Sequence, residues 1–301
     1  MLLQAVYFNP FNYKKHCKKH KNMLFSIIMG DNMKFHISRK YIWLALFILG
    51  LCGCSTIKVT DKETMSSILF RNIVTNSEQI SDAYLSGMLR ITGVPEIPAG
   101  AYISYTFHGN VKDQVGKFSL AIFKKPVFEI YFDKKDFVLV NCRKKIYVKS
   151  NLDDIDYSKF IGVNINPLDI AYFLMGTVPY SLDLQLLNYE VTKDSHLLEI
   201  SSSVSSYNVR LNADEEIINA DINNQYFDSI IMDSVKYAPN SEGVRVPQSA
   251  VFRTEDKKKS ISFIVDKMTT KEPYNIENME KEITEGEYTL IENMTDFSFK
   301  F

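Results

Sequence analysis

Alternation of apolar and polar residues with a period of two is the feature that most constrains this chain. In segment 101–108, Ile103, Tyr105 and Phe107 fall on one face of a strand, and mostly polar residues fall on the other. Closely spaced segments of this kind, separated by Gly, Pro, Asp or Lys clusters, predict an antiparallel sheet with one apolar face. The strand segments are 84–93, 101–109, 116–123, 127–132, 137–142, 145–149, 184–191, 196–202, 207–211, 216–222, 226–237, 246–252, 260–268 and 288–292.

An amphipathic helix is predicted before the first strand. Thr60 and Asp61 are good N-cap residues. The apolar residues that follow at helical spacing are Met65, Ile68, Leu69 and Ile73. Because the polar face carries both signs of charge, we expect this helix to pack on the sheet. A further short helix is predicted at 276–283.

The best-defined helix lies between two groups of strands. Asn166 is a good N-cap, Pro167 suits the first helical position, and Gly176 can adopt the left-handed conformation that ends a helix. Asp169 lies in the first turn, near the positive end of the helix dipole. The other residues are almost all apolar, so this helix must be buried on more than one side or must cover something apolar.

These elements predict a single mainly β (α+β) domain over residues 61–292, followed by a tail, 293–301. We expect one strongly curved antiparallel half-barrel of about eleven strands, with helices covering its concave face.

A hydrophobic segment near the N-terminus predicts export. Residues 33–53 combine a short basic region with an uninterrupted apolar run, Tyr41–Leu51. A permanent membrane anchor would need roughly 20 apolar residues. The run ends in Cys52-Gly53-Cys54, which resembles the bacterial lipobox. By that resemblance residues 33–53 are a lipoprotein signal peptide, Cys54 is the lipid attachment site, and residues 54–60 are a lipidated tether. The alternative is an ordinary signal peptide or an N-terminal transmembrane helix.

Residues 1–32 show no periodic pattern, and we expect them to be an upstream extension, with translation starting at Met33. Eight of the 35 Lys and Arg residues and one of the 36 Asp and Glu residues precede Cys54, so the mature chain carries a charge of about −8. This balance argues against nucleic-acid binding. If Cys54 carries lipid, Cys142 has no intramolecular disulfide partner, and stability must come from a hydrophobic core.

Motifs for catalysis are absent from the sequence. It contains no Gly-rich phosphate loop, no HExxH and no GxSxG. His108 and His196 lie in strand patterns and are interpreted as surface or rim histidines, and Cys142 is interpreted as a buried small apolar residue. We therefore predict no enzyme activity, no catalytic residue, no metal and no cofactor.

The order of the elements resembles the LolA/LolB lipoprotein-carrier superfamily, including LolB-like outer-membrane lipoproteins. The parts that carry the resemblance are the stretch 166–179, the strand 116–123 and the late strands 244–268. The resemblance implies an incomplete barrel and a helical lid around an apolar cavity for acyl chains. It also implies lipoprotein cargo, delivery by a periplasmic carrier protein, and a place on the periplasmic face of the outer membrane. The anchored receptor has an exposed loop with a protruding apolar residue; here the corresponding stretch, 131–137, is a tight charged turn.

The apolar face is the predicted binding site. Its expected lining residues are Ile103, Tyr105, Phe107, Phe118, Leu120, Ile122, Phe128, Ile130, Phe132, Phe173 and Leu174. The same residues would also suit a filled core, in which case the protein is a non-enzymatic envelope scaffold with protein partners. Cavity volume separates these two hypotheses, because a ligand pocket needs about 300 Å³ or more.

Overall fold

The computed structural model describes residues 62–95, 97, 101–134, 136–151, 155–240, 243–270, 273–275, 277–292 and 297. All of them lie in one unit, Val59–Phe301. The described helices are α1 (Lys62–Gln79), α2 (Ser158–Ile161), α3 (Pro167–Leu174) and α4 (Glu277–Glu285). The first six strands are β1 (Asp82–Thr92), β2 (Tyr102–Asn110), β3 (Val115–Ile122), β4 (Lys125–Asp133), β5 (Asp136–Asn141) and β6 (Ile146–Asn151). The remaining strands are β7 (Gln185–Val191), β8 (His196–Ser201), β9 (Ser205–Leu211), β10 (Ile217–Asn224), β11 (Ile230–Pro239), β12 (Arg245–Thr254), β13 (Ser260–Thr269) and β14 (Thr289–Leu290).

All described strands belong to one open, curved sheet. Its order is β14-β6-β5-β4-β3-β2-β1-β13-β12-β11-β10-β9-β8-β7. Two runs of sequential hairpins, β1–β6 and β7–β13, are joined by the antiparallel pairing of β1 with β13. The sheet thus has fourteen described strands instead of the predicted eleven or so, because every predicted strand segment pairs with its neighbour. The prediction of an antiparallel sheet fails at β14, which pairs parallel to β6.

The inner face of the sheet, defined here as the side that bears Ile103, Tyr105 and Phe107, forms the main core. In β2 these three residues are buried and their neighbours are partly exposed, as the alternation predicts. The same alternation continues through β1 and β3. Cross-strand pairs such as Phe107 with Phe118 place β2 and β3 in register on this face. Burial of these side chains is the main source of stability for the sheet.

Three helices pack into the inner-face core. In α1, Leu69 and Ile73 are buried while Ile68 is 41% exposed, so the helix packs on the sheet through a narrower stripe than the sequence suggested. Helix α2, which the sequence did not predict, belongs to a segment that packs near the ends of β1 and β10. There Tyr157 lies against Phe227, with ring centroids 5.8 Å apart. Helix α3 packs on the inner face, where it shares a cavity wall with residues of β1, β2, β3 and β13.

Helix α4 packs on the opposite, outer face of the sheet. There Tyr131, Val138 and Val140 form a separate buried cluster, against which Met279 and Ile283 of α4 pack. Strands β4 and β5 are therefore buried on both faces, which explains their continuous apolar runs. The prediction that helices lie on one side of the sheet does not hold for α4.

Candidate functional site

Helix α3 forms one wall of the candidate site, and its local sequence defines where it begins and ends. The Asn166 side chain accepts a hydrogen bond from the backbone N–H of Leu168 (2.9 Å), and Pro167 occupies the first turn. At the other end Gly176 has φ +80°, and the Thr177 N–H donates to the Tyr172 carbonyl at 3.1 Å. The predicted helix and its two ends are confirmed.

A small apolar cavity lies between α3 and the sheet. Its volume is about 10 Å³, close to the minimum that one water molecule needs. The walls come from α3 and from strands β1, β2, β3 and β13: Leu85, Tyr105, Phe107, Phe118, Pro167, Ile170, Ala171, Leu174 and Phe263. The four α3 residues follow one another at helical spacing and form one face of that helix. In this closed arrangement the cavity is far too small for an acyl chain.

Tyr105 is the one polar side chain in the wall of this cavity. Only 2% of the residue is exposed, and its hydroxyl has no hydrogen-bond partner among the described residues. Burial and, to a smaller degree, the Asp266 carboxylate raise the pKa of Tyr105 above its ordinary value, so the hydroxyl keeps its proton. An unpaired buried hydroxyl costs about 1–3 kcal/mol.

The eleven residues predicted to line a cavity all belong to, or pack against, the inner-face core. Four of them, Tyr105, Phe107, Phe118 and Leu174, form walls of the small cavity. The others lie elsewhere in the same core: Ile103, Leu120, Ile122, Phe128, Ile130, Phe132 and Phe173. Ile122 is partly buried there, and Phe173 points toward Tyr207, with ring centroids 5.9 Å apart.

Five wall residues were not predicted, namely Leu85, Pro167, Ile170, Ala171 and Phe263. Ile170 and Ala171 were within reach of sequence reasoning, because they share a helical face with Leu174. Leu85 and Phe263 were not, since β1 and β13 are neighbours only through a pairing between distant parts of the chain.

Asp169 is the one acidic residue of helix α3. Desolvation by burial raises the pKa of Asp169 from 3.8 to about 7. Its charge adds to the effect of burial on two neighbouring tyrosines, and it helps to raise the pKa of Tyr172 and of Tyr207. The closed position of α3 therefore disfavours the ionised carboxylate.

A large exposed apolar residue lies in the turn between β3 and β4, and not in the stretch 131–137. The stretch 131–137 contains the β4–β5 turn, as predicted, and ends in buried Phe137. Phe123, in the β3–β4 turn, is 93% exposed. Its φ of 50°, with 63° at Lys124, belongs to a two-residue turn that normally selects Asn and Gly.

The remaining predicted positions lie away from this site. His108 is in edge contact with the rings of Tyr84 and Tyr274, and His196 is 2.8 Å from the Tyr189 hydroxyl. Cys142 packs in the outer-face cluster, where burial raises the pKa of its thiol to about 11. Within the described ranges no three His, Cys, Asp or Glu side chains converge as metal ligands. Residues 1–32, the segment 33–53, Cys54 and the tether 54–60 lie outside the described residues.

None of the described helices is long and apolar enough to cross a bilayer. No protein-family model and no curated protein matches this chain. The solved structures that are similar to it include the following two. A LolA superfamily protein from Nitrosomonas europaea aligns with a TM-score of 0.51 and 12% identity over 71% of this chain and 96% of its own. A domain described as an outer membrane lipoprotein-sorting protein, from Vibrio parahaemolyticus, aligns with a TM-score of 0.50 and 8% identity over 72% and 96%. The resemblance to the LolA/LolB superfamily is thus confirmed at the level of the fold, and this chain has a LolA-like fold.

Proposed function

We propose that this protein is a lipid-anchored lipoprotein of the bacterial envelope that shelters acyl chains of lipids or lipoproteins beneath α3. Cys54 carries the anchor, and the domain faces the periplasm from the outer membrane, where it sorts lipoproteins or transfers lipid. A periplasmic carrier protein delivers the cargo, and no cofactor takes part. The observation that carries the proposal is the apolar helix α3, which covers an apolar sheet face that includes Tyr105, a buried residue whose hydroxyl has no hydrogen-bond partner among the described residues.

The contacts of α3 suit a lid that can be displaced. Within the described residues it makes no hydrogen bond to a strand, and it is held there by apolar packing. Gly162 and Gly176, on either side of the helix, both have positive φ, at 86° and 80°. An acyl chain that replaces α3 gains about 0.8 kcal/mol for each methylene removed from water. The Tyr105 hydroxyl is then able to donate to an ester or amide carbonyl of the cargo.

A second candidate function is the envelope scaffold with a filled core. The cavity volume of about 10 Å³ favours it, because the closed domain needs no ligand to fill its interior. The two candidates differ in whether α3 leaves the sheet when an acyl chain is offered. That difference is measurable by fluorescence.

The mature chain from residue 54 lacks tryptophan, since the single Trp lies at position 43. We therefore expect Phe173→Trp, made in the mature chain with Cys54→Ser, to report on the inner face alone. Dibromostearate quenches tryptophan only by contact, and it should quench Trp at position 173. Native mass spectrometry of the Cys54→Ser chain in which Phe173 is kept, purified without detergent, should show bound lipid.

The matched control is Tyr147→Trp, because Tyr147 packs against the outer-face cluster. Quenching at position 173 but not at position 147 supports the carrier. If both single-Trp variants fold, as judged by circular dichroism, and neither is quenched, the carrier proposal fails and the scaffold replaces it.

A further inference from the structure

The hairpin turns at the two ends of the sheet differ in charge. Register places the β3–β4, β5–β6, β8–β9, β10–β11 and β12–β13 turns at one end, which we call the basic end. Ser104 pairs with Ala121 and Thr92 with Ser260, so the end of β3 and the start of β13 lie at the same end as the start of β2. The β2–β3, β4–β5, β7–β8, β9–β10 and β11–β12 turns lie at the opposite end.

The turns of the basic end are rich in lysine and arginine. Together they hold seven Lys or Arg residues and three Asp or Glu residues. The described residues of the five turns of the opposite end include three Lys residues and five Asp or Glu residues. Two further acidic residues of the basic end lie outside its turns: Asp183, which accepts from the Ser203 N–H, and Glu287, which follows the Gly286 carbonyl that Lys145 contacts. The mature chain is acidic overall, so this segregation opposes the average charge of the molecule. The basic residues are Lys124, Arg143, Lys144, Lys145, Lys257, Lys258 and Lys259.

Several of these basic side chains are exposed to solvent. Lys124, Arg143 and Lys144 are exposed and lie in the adjacent β3–β4 and β5–β6 turns. Because β3 to β6 are consecutive in the sheet, these two turns are about 10 Å apart. Lys145 is engaged instead with the Gly286 carbonyl at 2.6 Å, and Lys258 pairs with Asp256 at 3.3 Å.

Exposed apolar side chains occur at the same end. Phe123 is 93% exposed and lies beside Lys124 in the turn between β3 and β4, at the basic end. Leu182, which is 92% exposed, is next to Asp183, whose side chain accepts from the Ser203 N–H of the β8–β9 turn at 2.7 Å. Tyr226, 48% exposed, lies in the β10–β11 turn. Of these three, Phe123 is the one that directly neighbours an exposed cation, Lys124, and a large apolar side chain beside a cation is typical of surfaces that enter the headgroup region of a membrane.

We propose that the basic end docks on an anionic lipid surface, with the exposed cations on the lipid phosphates and Phe123 inserted among the headgroups. Opposite charge selects this occupant, because the cations draw the end toward anionic lipid while the acidic opposite end is repelled. The docking goes beyond the proposed function, since it requires neither the cavity nor movement of α3. It orients the domain on the membrane independently of the anchor.

The test uses the mature chain with Cys54→Ser, so that no lipid anchor contributes. Co-sedimentation is measured with phosphatidylcholine vesicles and with vesicles that contain about one third phosphatidylglycerol. The unsubstituted domain should bind the anionic vesicles only, and salt should release it. Each cation near such a surface is worth about fivefold in binding, so Lys124→Glu, Arg143→Glu and Lys144→Glu together should weaken it about a hundredfold or more.

The matched control reverses three charges at the opposite end, in Lys112→Glu, Lys134→Glu and Lys193→Glu, and it should retain far more binding. Phe123→Trp should shift its emission to the blue on anionic vesicles, whereas Val191→Trp, at the opposite end, should not. Equal binding to both kinds of vesicle, no binding at all, or equal losses in the two charge variants would overturn the proposal. The acyl-chain test above contains no vesicles, so the two proposals fail separately.

Discussion

At the scale of single residues, a charged cluster holds α4 to the outer face. Lys117 lies 2.9 Å from Glu129 on β4 and 2.6 Å from Glu282 on α4. The Tyr131 hydroxyl is 2.9 Å from Glu129 and 2.7 Å from Glu282. Partial burial opposes ionisation of Glu282, but Lys117 and Tyr131 outweigh it and lower the pKa of that carboxyl. The stability that Glu282 contributes is thus present above pH 4.5 and is lost as pH falls through its lowered pKa.

We expect Lys117→Met to cost more than Glu282→Gln. Glu129 is only 9% exposed, and removal of Lys117 leaves its charge buried without a cation, at a cost of about 2–3 kcal/mol. Glu282 is 46% exposed, so neutralising it should cost less than about 1 kcal/mol. Urea unfolding measures both. Lys281→Ala, at the exposed 3.8 Å pair with Glu285, should be neutral. Equal losses in the two main variants would contradict this account.

At the scale of elements, helix α3 combines strong local sequence signals with one unfavourable buried group, Asp169. Its caps are specified by neighbouring residues, and its apolar faces are buried. Asp169 has a higher pKa in the folded chain than in the unfolded chain, about 7 against 3.8. An acid with a raised pKa is a penalty when it ionises, so its effect appears as pH rises from about 4 to about 7 and is complete above that.

Asp169→Asn should therefore raise the free energy of unfolding at pH 8 by about 1–3 kcal/mol and leave it nearly unchanged at pH 4. Thermal melts at both pH values measure this. Asp194→Asn, at an exposed position in the β7–β8 turn, is the control and should change neither. The assignment is wrong if the gain from Asp169→Asn is the same at pH 4 and pH 8.

The edge strand β7 has two local features that reduce its tendency to pair with another chain. The sheet ends at β7, where Leu187 is 57% exposed. The register shifts between Leu186 and Asn188, and the Tyr189 N–H donates to the Asn188 side chain at 2.8 Å. A bulge and an occupied backbone donor reduce the tendency of an edge to pair with another chain.

At the scale of the whole molecule, the β1–β13 pairing joins the two runs of hairpins into one sheet. The register shifts between Ser86 and Gly87, where β1 comes very close to β13. A Cβ atom at Gly87 would lie 2.0 Å from the Ile264 carbonyl oxygen. Glycine is therefore required here by the approach of two backbones.

Gly87→Ala should lower stability by about 3 kcal/mol, because a strand must shift to admit the methyl group. Gly243→Ala is the comparison. Gly243 has φ +76° and no neighbouring atom within 4 Å of the position that a methyl group would occupy, so only backbone strain of about 1 kcal/mol is expected. The denaturant midpoints of the two variants measure the two losses of stability. If Gly87→Ala lowers stability no more than Gly243→Ala does, the close approach of β1 and β13 does not require glycine at position 87.

Much of this fold was determined by the sequence alone. Alternation in β2 and β3 defined their buried faces, and Asn166, Pro167 and Gly176 defined helix α3, because each signal acts over a few neighbouring residues. Only the tertiary structure decided that β1 pairs with β13, that α4 packs on the outer face of β4 and β5, and that the cavity beneath α3 is about 10 Å³. The same holds for the basic end, whose turns are far apart in sequence. Such features depend on how distant segments pack, and the pattern within one segment does not record its partner.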